Sequence, residues 1–306
     1  MGLKMTVKKQ KNAIKRSEYF TAYVCMLPSI IGLIFLTYVP LAAVFGLSLF
    51  EYEGVGIPKW VGLANYTKLF TTDPYFKDSI GATIIYACLT VFGSVIWSLF
   101  IALMLNQKIP ARGFFRAVFY LPYVLPAMAV YLGWSWLYET NFGLFNYILS
   151  KFGIQKVMFI GSTKNVLPSL ALIAVWLSGN LIVIFLAGLQ NVPRVYHEAA
   201  EIDGANSFQR FCNITVPCMT PIIFYNILMS LITNLQVVTP ALALTNGGPG
   251  NSSCFISYLI YLYAFRVGKL SYACTIAFVL FIIIGIFTLV LFGTSKQWVY
   301  YEGGDE

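Results

Sequence analysis

Long stretches without a charged residue are the feature that most limits what this chain of 306 residues can fold into. A helix needs about 20 apolar residues to cross the hydrocarbon core of a bilayer, and a charge near its centre costs about 2.5 to 3.5 kcal/mol. Only 10% of the residues are charged, whereas soluble domains carry about 25%. We therefore expect an integral membrane protein. Six uncharged runs are long enough to span, at 19–50, 79–107, 117–138, 165–193, 211–265 and 270–295.

The fifth run is too long for one helix. Its first part, about 218–239, can cross a membrane, whereas the glycine-rich stretch 243–253 cannot continue a helix that faces lipid. The remainder, 255–265, is too short to cross. We therefore predict an all-α membrane protein with six transmembrane helices.

The basic residues predict which way the chain crosses the membrane. Residues 1–18 hold six Lys and Arg against one acidic residue, and the connections after the second and fourth runs add more basic residues. Lys and Arg stay preferentially on the cytoplasmic side, so both termini are expected in the cytoplasm. The loop 139–164 opposes this assignment, because it places Lys151, Lys156 and Lys164 on the other side.

The predicted organisation has three parts. A basic cytoplasmic segment, 1–18, precedes one membrane domain, 19–295, and a short cytoplasmic tail, 296–306, follows it. The end of the tail, 297–306, is acidic and contains a Gly pair, which favours disorder.

The sequence offers little for catalysis or ion coupling. His197 is the single histidine, and the chain contains no HExxH, GxSxG or GxxxxGK[ST] motif. No Asp, Glu, Lys, Arg or His lies within a predicted span, where a proton relay would need one. Sodium coupling remains open, although we find no interrupted helices at matching places in two halves of the chain. We expect no enzyme activity and no cofactor or metal in this chain, so any ATP is hydrolysed by a partner.

The net charge of +8 does not indicate nucleic-acid binding. The basic residues are divided between the two sides of the predicted membrane rather than gathered in one patch. We expect them to set topology and to contact anionic lipid.

One polar stretch, "HEAAEIDGANSFQRFCNITVP" (197–217), lies between two apolar runs, and we call it the EAA segment. Residues from Glu198 favour a helix, and Gly204 permits the positive φ that would end it. By the charge bias, the segment faces the cytoplasm.

A second short helix is predicted after that glycine. Asn206 or Ser207 can cap it, and Phe208 and Phe211, three residues apart, would share one face. Two short helices around a glycine make a compact knob with two aromatic side chains to bury. Such a knob suits docking into a cleft on a cytoplasmic protein, or it lies on the lipid surface as an amphipathic loop.

The EAA segment resembles the EAA loop of membrane subunits of binding-protein-dependent ATP-binding-cassette importers. Val216 stands where that family usually has Leu. Four further segments, 60–70 ("WVGLANYTKLF"), 116–130 ("RAVFYLPYVLPAMAV"), 141–149 ("NFGLFNYIL") and 243–250 ("ALTNGGPG"), resemble the sugar-importer permeases within it. The residues that match the EAA pattern are Glu198, Ala199, Ala200, Asp203, Gly204, Ala205, Ile214 and Pro217.

The resemblance covers about residues 20–295 and implies a MetI-like permease fold of the type I importers, with a cytoplasmic coupling helix. It implies a bacterial plasma-membrane complex with a second similar permease, two ATPase subunits that bind ATP and Mg, and an extracellular solute-binding protein. The cargo would be a carbohydrate. The residues expected to couple the chain to the ATPase are Glu198, Ala199, Ala200, Asp203, Gly204, Ala205, Phe208, Phe211 and Pro217.

A polar face in the fifth span marks a possible substrate path. Amides and hydroxyls suit uncharged polyols, but the same groups also join transmembrane helices by hydrogen bonds. An ion-coupled carrier and a scaffold subunit therefore remain alternatives, and the sugar site can also lie in the partner permease. The residues expected along the path are Asn226, Ser230, Thr233 and Asn234, spaced i, i+4, i+7 and i+8, together with Trp176 and Asn180 of the fourth span.

Overall fold

The computed structural model describes residue 19 and residues 21–300. The predictions for 1–18 and for 301–306 lie outside the described residues. In chain order the described elements are α1 (Thr21–Ser48), β1 (Phe50–Glu51), β2 (Lys59–Trp60), α2 (Ala64–Thr71), α3 (Pro74–Asn106), α4 (Arg112–Val124), α5 (Ala127–Leu137), α6 (Leu144–Lys151), α7 (Val166–Trp176), α8 (Gly179–Asn191), α9 (Arg194–Ile202), α10 (Ser207–Leu235), α11 (Ile256–Tyr261) and α12 (Leu270–Ser295).

Each uncharged run of the sequence contains a membrane-compatible helix or a bent pair of helices. Within the described residues, α1, α3, α10 and α12 are each long and apolar enough to cross a membrane alone. The pair α4 and α5 is bent by 98°, and the pair α7 and α8 by 49°. The all-α membrane fold is confirmed. The number of six spans stays a prediction, because it requires each bent pair to count as one span.

The two breaks differ from the expectation of uninterrupted helices. Pro126 follows Leu125, and a residue before proline is pushed out of the helical region, so α4 ends there with Leu125 at ψ 146°. At the second break, the Ser178 hydroxyl donates to the Val175 carbonyl at 2.6 Å and lies 2.9 Å from the Ser98 hydroxyl of α3. The breaks fall in the third and fourth uncharged runs, so they do not occupy matching positions in the two halves of the chain.

Helix α3 is the centre of the bundle. It packs against α7, α8 and α10, whereas α1 packs mainly along α12. The face of α3 inside the bundle carries small hydroxyl residues, which let neighbouring backbones approach closely. The buried members of that face are Ser79, Thr83, Thr90, Ser94 and Ser98.

One acidic side chain fastens three elements at the predicted extracellular end. Asp73 Oδ1 accepts from the Tyr75 and Phe76 N–H groups at 2.9 and 3.2 Å, and so caps α3. Its Oδ2 accepts from the Tyr263 and Tyr272 hydroxyls at 2.8 and 2.7 Å, which ties α3 to the start of α12. Burial, and then the bond to Asp73, raises the pKa of the Tyr263 hydroxyl above its ordinary value, so this group remains a donor at neutral pH.

We expect Asp73→Ala to lower the thermal stability of the detergent-solubilised protein. The change removes a helix cap, worth about 0.5–2 kcal/mol, and leaves two hydroxyls without their acceptor. Asp78→Ala is the matched control, because Asp78 lies early in the same helix and, in the part of the chain that the structure describes, its carboxylate accepts one hydrogen bond, from the Asn251 amide at 3.4 Å. Equal Tm values for the two variants would contradict the fastening role of Asp73.

The tail differs from its predicted disorder at its beginning. The Tyr300 N–H donates to the Thr220 hydroxyl at 2.9 Å, and the Trp298 ring lies 6.0 Å from the Phe224 ring of α10. Residues 297–300 therefore pack on α10, and the expectation of disorder is wrong for them. The expectation considered the acidic composition and did not take into account the contacts that aromatic residues make.

Candidate functional site

The EAA segment begins within a short helix that ends where its glycine was predicted to end it. Gly204 has φ +80°. Its N–H donates to the Glu201 carbonyl at 3.1 Å, and the next N–H, of Ala205, donates to the Ala200 carbonyl at 2.9 Å. This pair of bonds is a Schellman motif, which needs a left-handed residue at the position of Gly204. The motif sets the direction in which the chain leaves α9.

The prediction that the second helix of the knob is short is wrong. Asn206 does cap a helix, since its Oδ1 accepts from the Gln209 N–H at 2.9 Å and its N–H donates to Gln209 Oε1 at 2.8 Å. That helix is α10, which continues to Leu235 without a break. A π-helical turn at Phe211–Thr215 precedes Pro217 and widens the helix where proline cannot donate an N–H. The EAA segment is therefore joined directly to a transmembrane helix.

The surface of the EAA segment exposes apolar side chains. Ile202 is 87% exposed and Phe208 is 74% exposed, while Phe211 is half-buried. Val195, Ala199 and Ile202 follow an i, i+4, i+7 spacing on α9 and are all exposed. Sequence reasoning missed Val195 and Ile202, although this spacing could have found them. Glu198 and Asp203 are exposed among these apolar groups.

A groove of about 460 Å³ separates α9 from the start of α10. Glu201 and Arg210 bridge the two helices with an ion pair of 3.0 Å, which contributes little at an exposed position. The groove brings together Ala199, Ala200, Asp203 and Pro217 of the predicted coupling residues, and Ile214 also lines it.

A second cavity, of about 440 Å³, lies at the level of both helix breaks, and we call it the central cavity. Leu125 and Ala127 border it at the first break, and Leu177 and Ser178 border it at the second. None of the described residues that line it carries a charge. Four of the residues predicted for the substrate path line it together: Asn180, Ser230, Thr233 and Asn234.

The polar groups of α10 are held in place inside the central cavity. Asn234 Nδ2 donates to the carbonyl and the hydroxyl of Ser230, at 2.8 and 3.1 Å. Thr233 donates to the Met229 carbonyl at 2.8 Å. Ser94 of α3 also lines the cavity and is 3% exposed, and it makes no hydrogen bond among the described residues.

Two residues predicted for the path do not line the central cavity. Trp176 was expected to share a helical face with Asn180, but the helix breaks between them. Trp176 instead borders a separate cavity of about 290 Å³. Asn226 is fully buried inside the bundle, one turn along α10 from Ser230.

Sequence reasoning also missed part of the cavity wall. Tyr86, Tyr123 and Tyr131 line it from three other helices. No local pattern in the sequence shows which tyrosines turn toward the cavity. That orientation depends on the helix breaks and on the packing around α3.

We expect Gly179→Ala to distort the central cavity. A Cβ at this position would lie 2.8 Å from the carbonyl oxygen of Phe119 and 3.1 Å from the Tyr120 Cα, which are backbone atoms that cannot turn away. Overpacking of this kind costs about 1–3 kcal/mol, so Tm and uptake should both fall. Gly81→Ala is the control, since no atom of the described residues, apart from the adjacent backbone of its own helix, lies within 4 Å of its Cβ position. Identical Tm and uptake in the two variants would contradict the close contact between α8 and α4.

Comparisons with known proteins agree with the sequence resemblance. The model of the family described as "Binding-protein-dependent transport system inner membrane component" matches residues 94–296. The probable ABC transporter permease protein YesP of Bacillus subtilis (strain 168) is 37% identical over 301 residues, which is 97% of each chain. The multiple sugar-binding transport system permease protein MsmF of Streptococcus mutans is 35% identical, over 78% of this chain and 82% of its own. The trehalose/maltose transport system permease protein MalF of Thermococcus litoralis is 30% identical, over 90% and 94%.

Solved structures show the same fold. A chain in the crystal structure of a bacterial alginate ABC transporter, in complex with an alginate pentasaccharide-bound periplasmic protein, superposes with a TM-score of 0.79. The match covers 94% of this chain and 96% of that one at 21% identity. At this identity the likeness concerns the fold alone.

Proposed function

The chain belongs to the family of binding-protein-dependent transport system inner membrane components, and we propose that it is the permease subunit of an ATP-binding-cassette importer for a carbohydrate. The observation that carries the proposal is the continuity of α10. One helix begins in the exposed EAA segment, at Ser207, and reaches the central cavity at Ser230 and Asn234. A movement of the EAA segment is thereby transmitted to the wall of the cavity.

A carbohydrate fits the chemistry of the central cavity. Its lining offers amides, hydroxyls and tyrosines without a charge, which suits a neutral polyol better than an ion or an acid. The ends of the broken helices add backbone groups that have no partner within their own helix. The names of MsmF and MalF, which refer to sugars, support the same cargo class.

The mechanism is alternating access driven from the cytoplasmic side. ATP and Mg bind to partner ATPase subunits, because this chain contains no GxxxxGK[ST] motif. Closure of those subunits moves the docked EAA segment, and α10 moves with it against α3 and α8 as a rigid body. Coupling is reciprocal, so a loaded extracellular binding protein that favours the outward-open state raises ATPase activity.

The docking surface for the ATPase consists of α9 and the first turn of α10. Ile202, Phe208 and the small Ala199 would be buried in its cleft, and Glu198 would pair with a basic group there. The angle between the two helices is set by Asp203, Gly204 and Ala205. The side of the surface that faces the rest of the chain is supported by Ala200, Phe211 and Pro217.

Both termini lie in the cytoplasm, and the chain pairs with a second, similar permease in a bacterial plasma membrane.

An ion-coupled carrier is the second candidate. The two broken helices favour it, since such carriers bind ions at unwound helix segments. That candidate leaves the exposed apolar surface of the EAA segment without a purpose, because a carrier of this kind works without an ATPase. It also predicts a chain that functions without partners.

Gentle extraction of the tagged chain from its native membrane, followed by mass spectrometry of what co-purifies, tests the proposal. We expect an ATPase that carries a Walker A motif and a second membrane protein that carries an EAA segment. A chain that emerges as a stable monomer or homo-oligomer would overturn the importer assignment and favour the ion-coupled carrier.

A further inference from the structure

Asn226 is buried in α10, and its side-chain amide has no hydrogen-bond partner within residues 21–300. Its exposure is 0%, and neither Nδ2 nor Oδ1 has a hydrogen-bond partner among the described residues. A buried amide without partners has lost its bonds to water and gained none in return, which destabilises the conformation that buries it. Its neighbours along α10, Ile223 and Ile227, pack against an apolar cluster that includes Val95 of α3.

The position of Asn226 continues the polar line of the central cavity. Positions 226, 230 and 234 are four residues apart and therefore lie on one face of α10. Ser230 and Asn234 line the cavity, and Ser94 lines it from α3. Toward the EAA segment, residues of α3, α8 and α10 form an apolar cluster that includes Val95, Phe185 and Met219, and we call this cluster the floor. Asn226 lies at that floor, one helical turn beyond Ser230.

We propose that Asn226 is a further contact for saccharide hydroxyls, reached when α3 and α10 separate and the floor opens. The proposal rests on the proposed function, since it requires a carbohydrate to leave the central cavity toward the cytoplasm. The amide supplies two donors and an acceptor, which suits a polyol. Its lack of partners in the closed state favours the open state, where the amide meets water or sugar.

The first test is uptake by the assembled importer in proteoliposomes, using a panel of radiolabelled neutral mono- and oligosaccharides. Leucine at position 226 would complete the apolar floor and favour its closed form. We expect Asn226→Leu to reduce uptake by at least about tenfold, while the complex still assembles. Thr90→Val is the matched control. Thr90 is 0% exposed on α3, but its hydroxyl donates to the Tyr86 carbonyl at 2.8 Å, so uptake should stay at the wild-type level.

The second test measures access to position 226 directly. Asn226→Cys is treated with N-ethylmaleimide, and modification of the peptide that carries this position is quantified by mass spectrometry. We expect modification during turnover with ATP and the loaded binding protein, little in the resting complex, and protection by excess transported saccharide. If the floor instead stays closed and a buried water bonds to the Asn226 amide, no modification is expected.

Two results would overturn the role of Asn226: normal uptake by Asn226→Leu, or no modification of Asn226→Cys during turnover. The proposed function still stands in either case if the wild-type complex imports saccharide. A wild-type complex that imports no saccharide overturns the proposed function, and this inference with it.

Discussion

Gly204→Pro is expected to reduce carbohydrate uptake by more than about tenfold while the protein still inserts into the membrane. Proline holds φ near −65°, whereas Gly204 adopts φ +80°. Proline also lacks the N–H that bonds to the Glu201 carbonyl at 3.1 Å. The Schellman motif is then lost, and α9 can no longer keep its angle to α10. Because both helices form the docking surface, movement of the ATPase subunits no longer reaches α10.

The measurement is uptake per inserted copy in cells, with insertion quantified by immunoblot of the membrane fraction. Gly153→Pro is the matched control. Gly153 has φ +73° and donates its N–H to the Ser150 carbonyl at 3.1 Å, so it suffers the same backbone change in the loop on the opposite side. Normal uptake by Gly204→Pro, or an equal defect in both variants, would contradict the coupling role of the EAA segment.

Asn234→Leu should reduce uptake by about tenfold or more, with the complex still assembled. Leucine has a similar size, but it removes the amide that lines the central cavity and donates to Ser230 at 2.8 and 3.1 Å. A saccharide hydroxyl facing leucine is left without a partner, and discrimination of this kind is steep in sites built for hydrogen bonding. The expected defect is in uptake, while stimulation of the ATPase by the loaded binding protein persists.

Gln236→Leu is the control for this effect. It removes an amide two positions along the chain, where Nε2 donates to the Ile232 carbonyl at 3.1 Å and the side chain does not line the central cavity. Uptake of labelled saccharide should stay near the wild-type level in this variant. If Asn234→Leu also transports normally, the polar face of α10 serves packing only, and the result favours the alternative that the chain is a scaffold subunit.

The helices were predictable from the sequence because the signal is the absence of charge, which the bilayer imposes directly. The end of α9 at Gly204 and the cap at Asn206 were predictable as well, since both depend on local backbone chemistry. The continuity of α10 was not predicted. A π-helical turn at Phe211–Thr215 joins the EAA segment to the span, and nothing in the local pattern indicates it.

The residues that line the central cavity were also only partly predictable from the sequence. Helical spacing grouped Ser230, Thr233 and Asn234 correctly, because they lie on one uninterrupted helix. The same spacing failed for Trp176 and Asn180, because a break of 49° separates them. Periodicity therefore predicts which residues share a face only while the helix continues. The burial of Asn226 depends on how α3 packs against α10, which no single segment encodes.

Uptake of labelled saccharides into proteoliposomes distinguishes an ATP-driven importer from an ion-coupled carrier. The complex purified with this chain is reconstituted, its binding protein is loaded, and ATP or an inward sodium gradient is supplied separately. We expect uptake that requires ATP and the binding protein and does not change with the sodium gradient. Uptake that follows the sodium gradient without ATP would show that the chain is not part of an ATP-driven importer.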